Sequence, residues 1–199
     1  MENEFDYYLV DSKDEDIYPM LKPDEGQSLR PFHRKKPIDN NSAVKLTFDF
    51  KHKKKPQMGD YHDGASGGVF SQRMYELLTS LSISTIEFVP VEIRWNNEIE
   101  KNYWAIHVLK SIVCLDRKNA VYKLYDEDDE NDINIEELKL DKELLNKIPL
   151  SGRLVFNMEE DGSKCLFHKS IVEAIMSINP TGIKFIPADE WKDGVQFDN

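Results

Sequence analysis

The 199-residue sequence predicts an α+β fold, a mostly antiparallel sheet with a few packed helices. Three observations predict it. Strand-like segments gather in a run with helices between some of them. Only two stretches, near residues 71–81 and 167–178, carry an apolar stripe at the helical period. No internal repeat is visible at periods of about 20 to 50 residues, which sets solenoids and propellers aside. A hydrophobic fraction of 40%, with 10 Phe, 8 Tyr and 3 Trp, supports a real core. A chain of this size can bury about 70% of the surface its unfolded form exposes.

In chain order, Phe5 to Val10 reads as a strand, followed by an irregular Asp/Pro/Gly-rich stretch to about Pro37. Val44 to Phe50 alternates at period two and places Val44, Leu46, Phe48 and Phe50 inward. A loop rich in Gly, Asp and His runs to Gly68. Ser71 then caps a helix in which Phe70 staples to Tyr75 and Met74, Leu77, Leu78 and Leu81 form one stripe. Thr85 to Trp95 is a strand whose Pro90 makes it an edge strand or a bulged one. Asn102 to Val113, apolar on both faces, reads as a central strand. Asp116 to Asn119 is a hairpin turn, returning as the strand Ala120–Tyr125. Beyond an acidic run, Ile133–Leu140 follows, then a short helix at Lys142–Lys147 and a strand at Arg153–Met158. A second helix carries Phe167, Ile171, Ala174, Ile175 and Ile178 and stops at Asn179-Pro180, before a last strand at Ile183–Ile186.

Net charge is −11 and the pI is near 5.0, so tracking a phosphate backbone is not the main role expected of this chain. Such a charge suits solubility, or a basic partner whose encounter it speeds. Residues 1–29 carry nine acids against two lysines, and residues 30–55 nine bases against two acids, so the two segments are expected to neutralise each other. No apolar run approaches the roughly 18 residues of a membrane span. The opening MENEFDYY has no basic-then-apolar leader, so a cytoplasmic protein is expected. Cys114 and Cys165 form neither a disulfide framework nor a zinc motif.

The best enzyme candidate is the loop Asp60-Tyr61-His62-Asp63-Gly64. Two carboxylates flanking an imidazole could hold a divalent metal, with His52 or His33 as a further ligand, and act as a metal-assisted hydrolase. An ordinary exposed loop has the same composition, and the spacing matches no known ligand pattern. The glycines fit neither a P-loop nor a dinucleotide fingerprint. His107, mid-strand, reads as a hydrogen-bonded structural histidine, and Cys165 with His168 would share a face only on a helix. The run Asp126-Glu127-Asp128-Asp129-Glu130-Asn131-Asp132 reads as a solvated turn or as a negative knob for a basic cleft. It lacks the register of an EF-hand.

Several segments in order resemble a family of bacterial immunity proteins from polymorphic toxin systems, the immunity protein eleven family, formerly a domain of unknown function. They are Gly68-Val69-Phe70-Ser71 opening QRMYELL, the proline-bearing strand Ile86–Val91, Tyr103–Leu109, Cys114–Arg117, Leu166–Ile178 and Thr181-Gly182-Ile183-Lys184-Phe185. The resemblance spans about residues 58–190, which divides the chain into a strand-containing, charge-segregated segment, 1–57, packed on an immunity-like domain, 58–199. It implies a non-enzymatic protein, without cofactor or catalytic residues, that binds a cognate toxin domain. On it, Tyr103, Trp104, Asp116, Gly182 and Phe185 are fold determinants. The toxin expected is basic and acts in the cytoplasm, with no direct nucleic-acid or membrane contact by this chain. The contact surface expected is Asp126, Glu127, Asp128, Asp129, Glu130 and Asp132, with the acidic N-terminus second.

Overall fold

From the N-terminus the chain forms β1 (Tyr7–Ser12), β2 (Leu21–Pro23), β3 (Val44–Phe48), β4 (Tyr61–His62), β5 (Val69–Ser71), α1 (Gln72–Ser80), β6 (Ile86–Trp95) and β7 (Glu98–Val108). It continues through β8 (Ser111–Ile112), β9 (Val121–Leu124), β10 (Ile133–Glu137), α2 (Lys142–Asn146), β11 (Val155–Met158), β12 (Cys165–His168), α3 (Lys169–Met176) and β13 (Ile183–Pro187). The computed structural model describes residues 4–13, 17–38, 43–48, 55–64, 67–125 and 133–194.

Two sheets and a hairpin result. The first sheet has the order β13-β1-β12-β11-β8, the second β2-β3-β6-β7-β5-β4, and β9 pairs with β10. β11 and β12, in the middle of the first sheet, are buried at every position, whereas β3 of the second sheet alternates, with Val44, Leu46 and Phe48 buried and Lys45 exposed. In β1, Tyr7 and Leu9 face a core shared with β10 and α2, while Tyr8 and Val10 face the central core. That central core lies between the sheets and takes Met74 and Leu78 from α1, Ile171 and Ile175 from α3, and Ile106 and Val108 from β7. A third core covers the far face of the second sheet, where Val89, Val91 and Ile93 meet Leu21, Phe32 and Leu46. The near-continuous apolar runs of β11 and β12 are the consequence of burial on both sides.

The α+β class stands, but the sheets are mixed. β3 runs parallel to β6 and β8 parallel to β11. Between β3 and β6 the chain passes through β4, β5 and α1, and between β8 and β11 through the hairpin and α2. Crossovers of that length return a strand in the same direction. β6 is an interior strand rather than an edge, and Pro90 sits one residue before its first pair with β3, Val44–Val91. The bulge is real: the β6–β7 register shifts beyond Val91, where Lys101 and Asn102, the latter at φ +66°, stand opposite Glu92 alone.

Further expectations need correction. Cys165–His168 is strand β12, so Phe167 belongs to a sheet and the second helix begins only at Lys169. The turn at Asp116–Asn119 exists, but β9 pairs with β10 rather than with the strand preceding the turn. Ser71 occupies the N-cap position of α1 without bonding the helix, because its Oγ donates to Asp60 instead, and Tyr75 stacks on Trp104 at 4.4 Å. The described ion pairs of the two charge segments also reach other parts of the chain. Among the described residues Glu4 pairs with Arg153, Asp6 with Lys169, Asp11 with Lys184 and Asp24 with Arg94, while Lys35 meets Glu159 and Lys55 meets Glu98 and Glu100. Both segments are threaded into sheets, so these partners come from parts of the chain distant in sequence, as where Asp11 of β1 meets Lys184 of the adjacent β13. Residues 1–57 supply β1, β2 and β3, strands of both sheets.

Candidate functional site

The loop that carries the metal-site candidates is built as a structural lock. Asp60 is buried, and its two carboxylate oxygens accept from five donors: Ser71 Oγ, Arg73 Nε and Nη2, and the N–H and Oγ1 of Thr181. A carboxylate offers about four lone-pair sites, so little remains for a ligand. Burial pushes this carboxyl up, but the hydrogen bonds from Arg73, Thr181 and Ser71 outweigh it and hold the group well below the usual carboxylate range. Arg73 reaches on to the carbonyls of Ile178 and Asn179, which ties the loop to the end of α3.

His62 is fully buried. Its Nδ1 lies 3.0 Å from the Pro19 carbonyl, so Nδ1 carries the proton, and its Nε2 accepts from Gly59 N–H at 3.0 Å. Both ring nitrogens are engaged by backbone, and burial pulls the imidazole below its ordinary value. Asp63, pushed up by burial, accepts from Gly64 N–H. A cleft of about 490 Å³ beside the loop is lined by Leu29, Phe32, His33, Tyr61, Asp63 and Cys165 among others, whereas Asp60 and His62 do not reach it. His52 lies outside the described residues. Among the described residues no three His, Cys, Asp or Glu side chains are grouped to hold a metal. The glycines serve packing: at Gly68, with φ +95°, a Cβ would lie 2.2 Å from the Tyr61 ring.

The other candidate groups are likewise occupied. His107 donates from Nε2 to the Lys36 carbonyl and packs edge-on to Phe32. Cys165 and His168, three apart on a strand, point to opposite faces; burial pushes the Cys165 thiol up to about 12, and His168 caps α3 by accepting from Ser170 N–H. Burial raises the Cys114 thiol too.

The family-pattern residues have defined places. The Tyr103 hydroxyl donates to the Gly59 carbonyl at 2.9 Å, and Trp104 stacks on Tyr75. The Asp116 carboxylate accepts from the N–H groups of Lys118 and Asn119 within its turn. Gly182 has φ +78°, with a Cβ position 2.6 Å from the Tyr61 carbonyl, and Phe185 meets Phe167 edge-on.

The acidic residues Asp126, Glu127, Asp128, Asp129, Glu130 and Asp132 lie outside the described residues. Their frame is described: the run joins β9 to β10, whose last pair is Leu124 with Ile133. Ile133 and Ile135 enter the core with Leu138 and Leu145, which pins the hairpin to the first sheet. On β9 itself Val121, Leu124 and Tyr125 are exposed. Sequence reasoning missed that exposure. The signal available was a strand with one polar residue among five, Val121-Tyr122-Lys123-Leu124-Tyr125, abutting a highly charged run.

The immunity protein family Imm11 matches residues 9–190. The chain belongs to this family. The match begins within β1 and ends just past β13, so the Imm11 pattern takes in most of the first 57 residues as well as the 58–190 span legible in the sequence. No curated protein matches this Imm11 chain. No helix among its described residues is long and apolar enough to cross a membrane.

Proposed function

We propose that this Imm11 chain binds the toxin domain of a bacterial polymorphic toxin system and neutralises it by occupancy, protecting the producing cell and its kin. The observation that carries the reading is membership of the immunity protein family over residues 9–190. The commitment of Asp60 and His62 to internal hydrogen bonds supports binding over hydrolysis. The net charge of −11 supports a basic toxin, such as a nuclease whose own site attracts phosphate, met in the cytoplasm. The run Asp126, Glu127, Asp128, Asp129, Glu130 and Asp132 is the contact surface of this proposal, since it concentrates the charge that steers a basic partner. Tyr103, Trp104, Asp116, Gly182 and Phe185 maintain the fold in it and do not touch the toxin.

The test is co-expression with the toxin domain encoded beside this gene, followed by size-exclusion chromatography at 0.3 M salt. A stable complex with rescued growth is expected, and titration should reach full inhibition only near equimolar protein, as occupancy requires. Free protein and dead cells, or inhibition at catalytic amounts, would overturn the reading. Replacing Asp126, Glu127, Asp128 and Asp129 with Ser should slow association about tenfold or more at low salt. An unchanged on-rate disposes of the acidic run as the steering surface.

A further inference from the structure

Among the described strands β9 leaves the largest share of its apolar side chains exposed, where β7 exposes only Ile99. Val121 is 44% exposed, Leu124 40% and the adjoining Tyr125 71%. β9 pairs with β10 alone, and among the described residues no backbone hydrogen bond from 121–125 runs anywhere but to β10. One row of its N–H and C=O groups therefore faces outward. Natural edge strands are guarded by proline, by charge or by a covering element. β9 has no proline, and its single charge, Lys123, is engaged by Glu136 across the hairpin. The platform is nonetheless firm, because Ile133 and Ile135 of β10 are anchored in the core and the Arg117 guanidinium lies 5.7 Å from the Tyr122 ring.

Resting on the immunity reading above, we propose that the outer edge of β9 is a docking strand. An extended segment of the basic toxin domain adds to it as a further strand, with Val121, Leu124 and Tyr125 as the apolar contacts. Main-chain bonds to a strand edge supply affinity with little sequence demand, and exposed aromatic and aliphatic side chains supply residence time. Charge selects the occupant. Residues 121–137 carry eight acids and one lysine, so a second copy paired edge to edge would bring two strongly negative segments together, whereas a cationic segment is drawn in.

The test uses the full chain and the toxin domain encoded beside its gene, at 0.3 M salt. Amide hydrogen exchange at residues 121–125 should slow about tenfold or more in the complex. The double variant Val121→Ser/Tyr125→Ser, both positions being exposed, should melt as the parent does and bind the toxin at least about tenfold more weakly. Should that variant fail to fold, exchange in the parent complex decides alone. A complex that forms with unchanged exchange at 121–125, or with the folded variant binding within about twofold, overturns the docking strand and leaves the immunity reading standing. Absence of any complex overturns both. Slowed exchange in the free protein that grows with its concentration would assign the edge to a second copy and overturn the basic occupant.

Discussion

Asp60 joins three parts of the chain: the β4 loop, the first turn of α1 through Ser71 and Arg73, and the turn before β13 through Thr181. Its pKa is depressed in the folded state, so the stability it contributes is complete above its unfolded value near 3.8 and is lost as pH falls below that towards the folded value. Asp60→Asn removes the charge-assisted bonds and should destabilise the fold by about 1–3 kcal/mol in denaturant titration at pH 7. The variant's stability should then fall less than the parent's between about pH 4 and pH 2. A parallel fall in both proteins would contradict the role assigned to Asp60. His62 works in the same direction at higher pH. Its folded pKa lies below the ordinary 6.5, so the folded chain resists protonation while the unfolded chain accepts it, and stability declines as pH drops from there. An NMR titration should find the His62 ring neutral well below pH 6.5. A midpoint at or above that value counts against its burial and against the Gly59 N–H bond to Nε2, which requires a neutral ring.

At the scale of elements, close approaches decide what a loop is for. The Gly-rich stretch after Asp63 resembles a ligand cradle in composition, yet the Tyr61 ring occupies the space beside Gly68. Gly68→Ala must both hold φ +95° and displace that ring, so a loss of about 2 kcal/mol or more is expected from thermal or chemical denaturation. Gly162→Ala, where nothing lies within 4 Å of the added carbon, should change stability by less than about 0.5 kcal/mol. Equal effects at the two sites would refute the packing account. The helices were legible because Met74 and Leu78, like Ile171 and Ile175, recur at the period of a buried stripe. The start of α3 was not. Cys165 to Phe167 are apolar at every position, and a short apolar run fits a strand buried on both faces as well as a helix.

At the scale of the whole molecule, the first residues are woven into the sheets. β1 lies between β12 and β13, and the buried Arg153 guanidinium donates to Glu4 and Tyr7, fastening the N-terminal segment to the loop before β11. Residues 58–199 expressed alone should therefore fail to unfold cooperatively, as followed by near-ultraviolet circular dichroism against denaturant. A sharp two-state transition in that fragment would establish 58–199 as an independent domain.

Residue types and their periodicity by themselves determined the α+β class, the two helical stripes, the alternating strand at Val44, Leu46 and Phe48, and the turn at Asp116, since each of these is set within a few neighbouring residues. The family resemblance was legible for a related reason, because ordered local pieces such as Tyr103-Trp104 and Thr181-Gly182 recur at fixed spacing. Tertiary structure alone decided which strands neighbour each other, that Asp60 meets Thr181, that Pro90 lies in an interior strand just ahead of β3, and that among the described residues β9 pairs only with β10. Those facts depend on contacts between residues from about nine to more than a hundred positions apart. The periods of 2 and 3.6 state which face of an element is apolar, and only the folded chain states what that face meets.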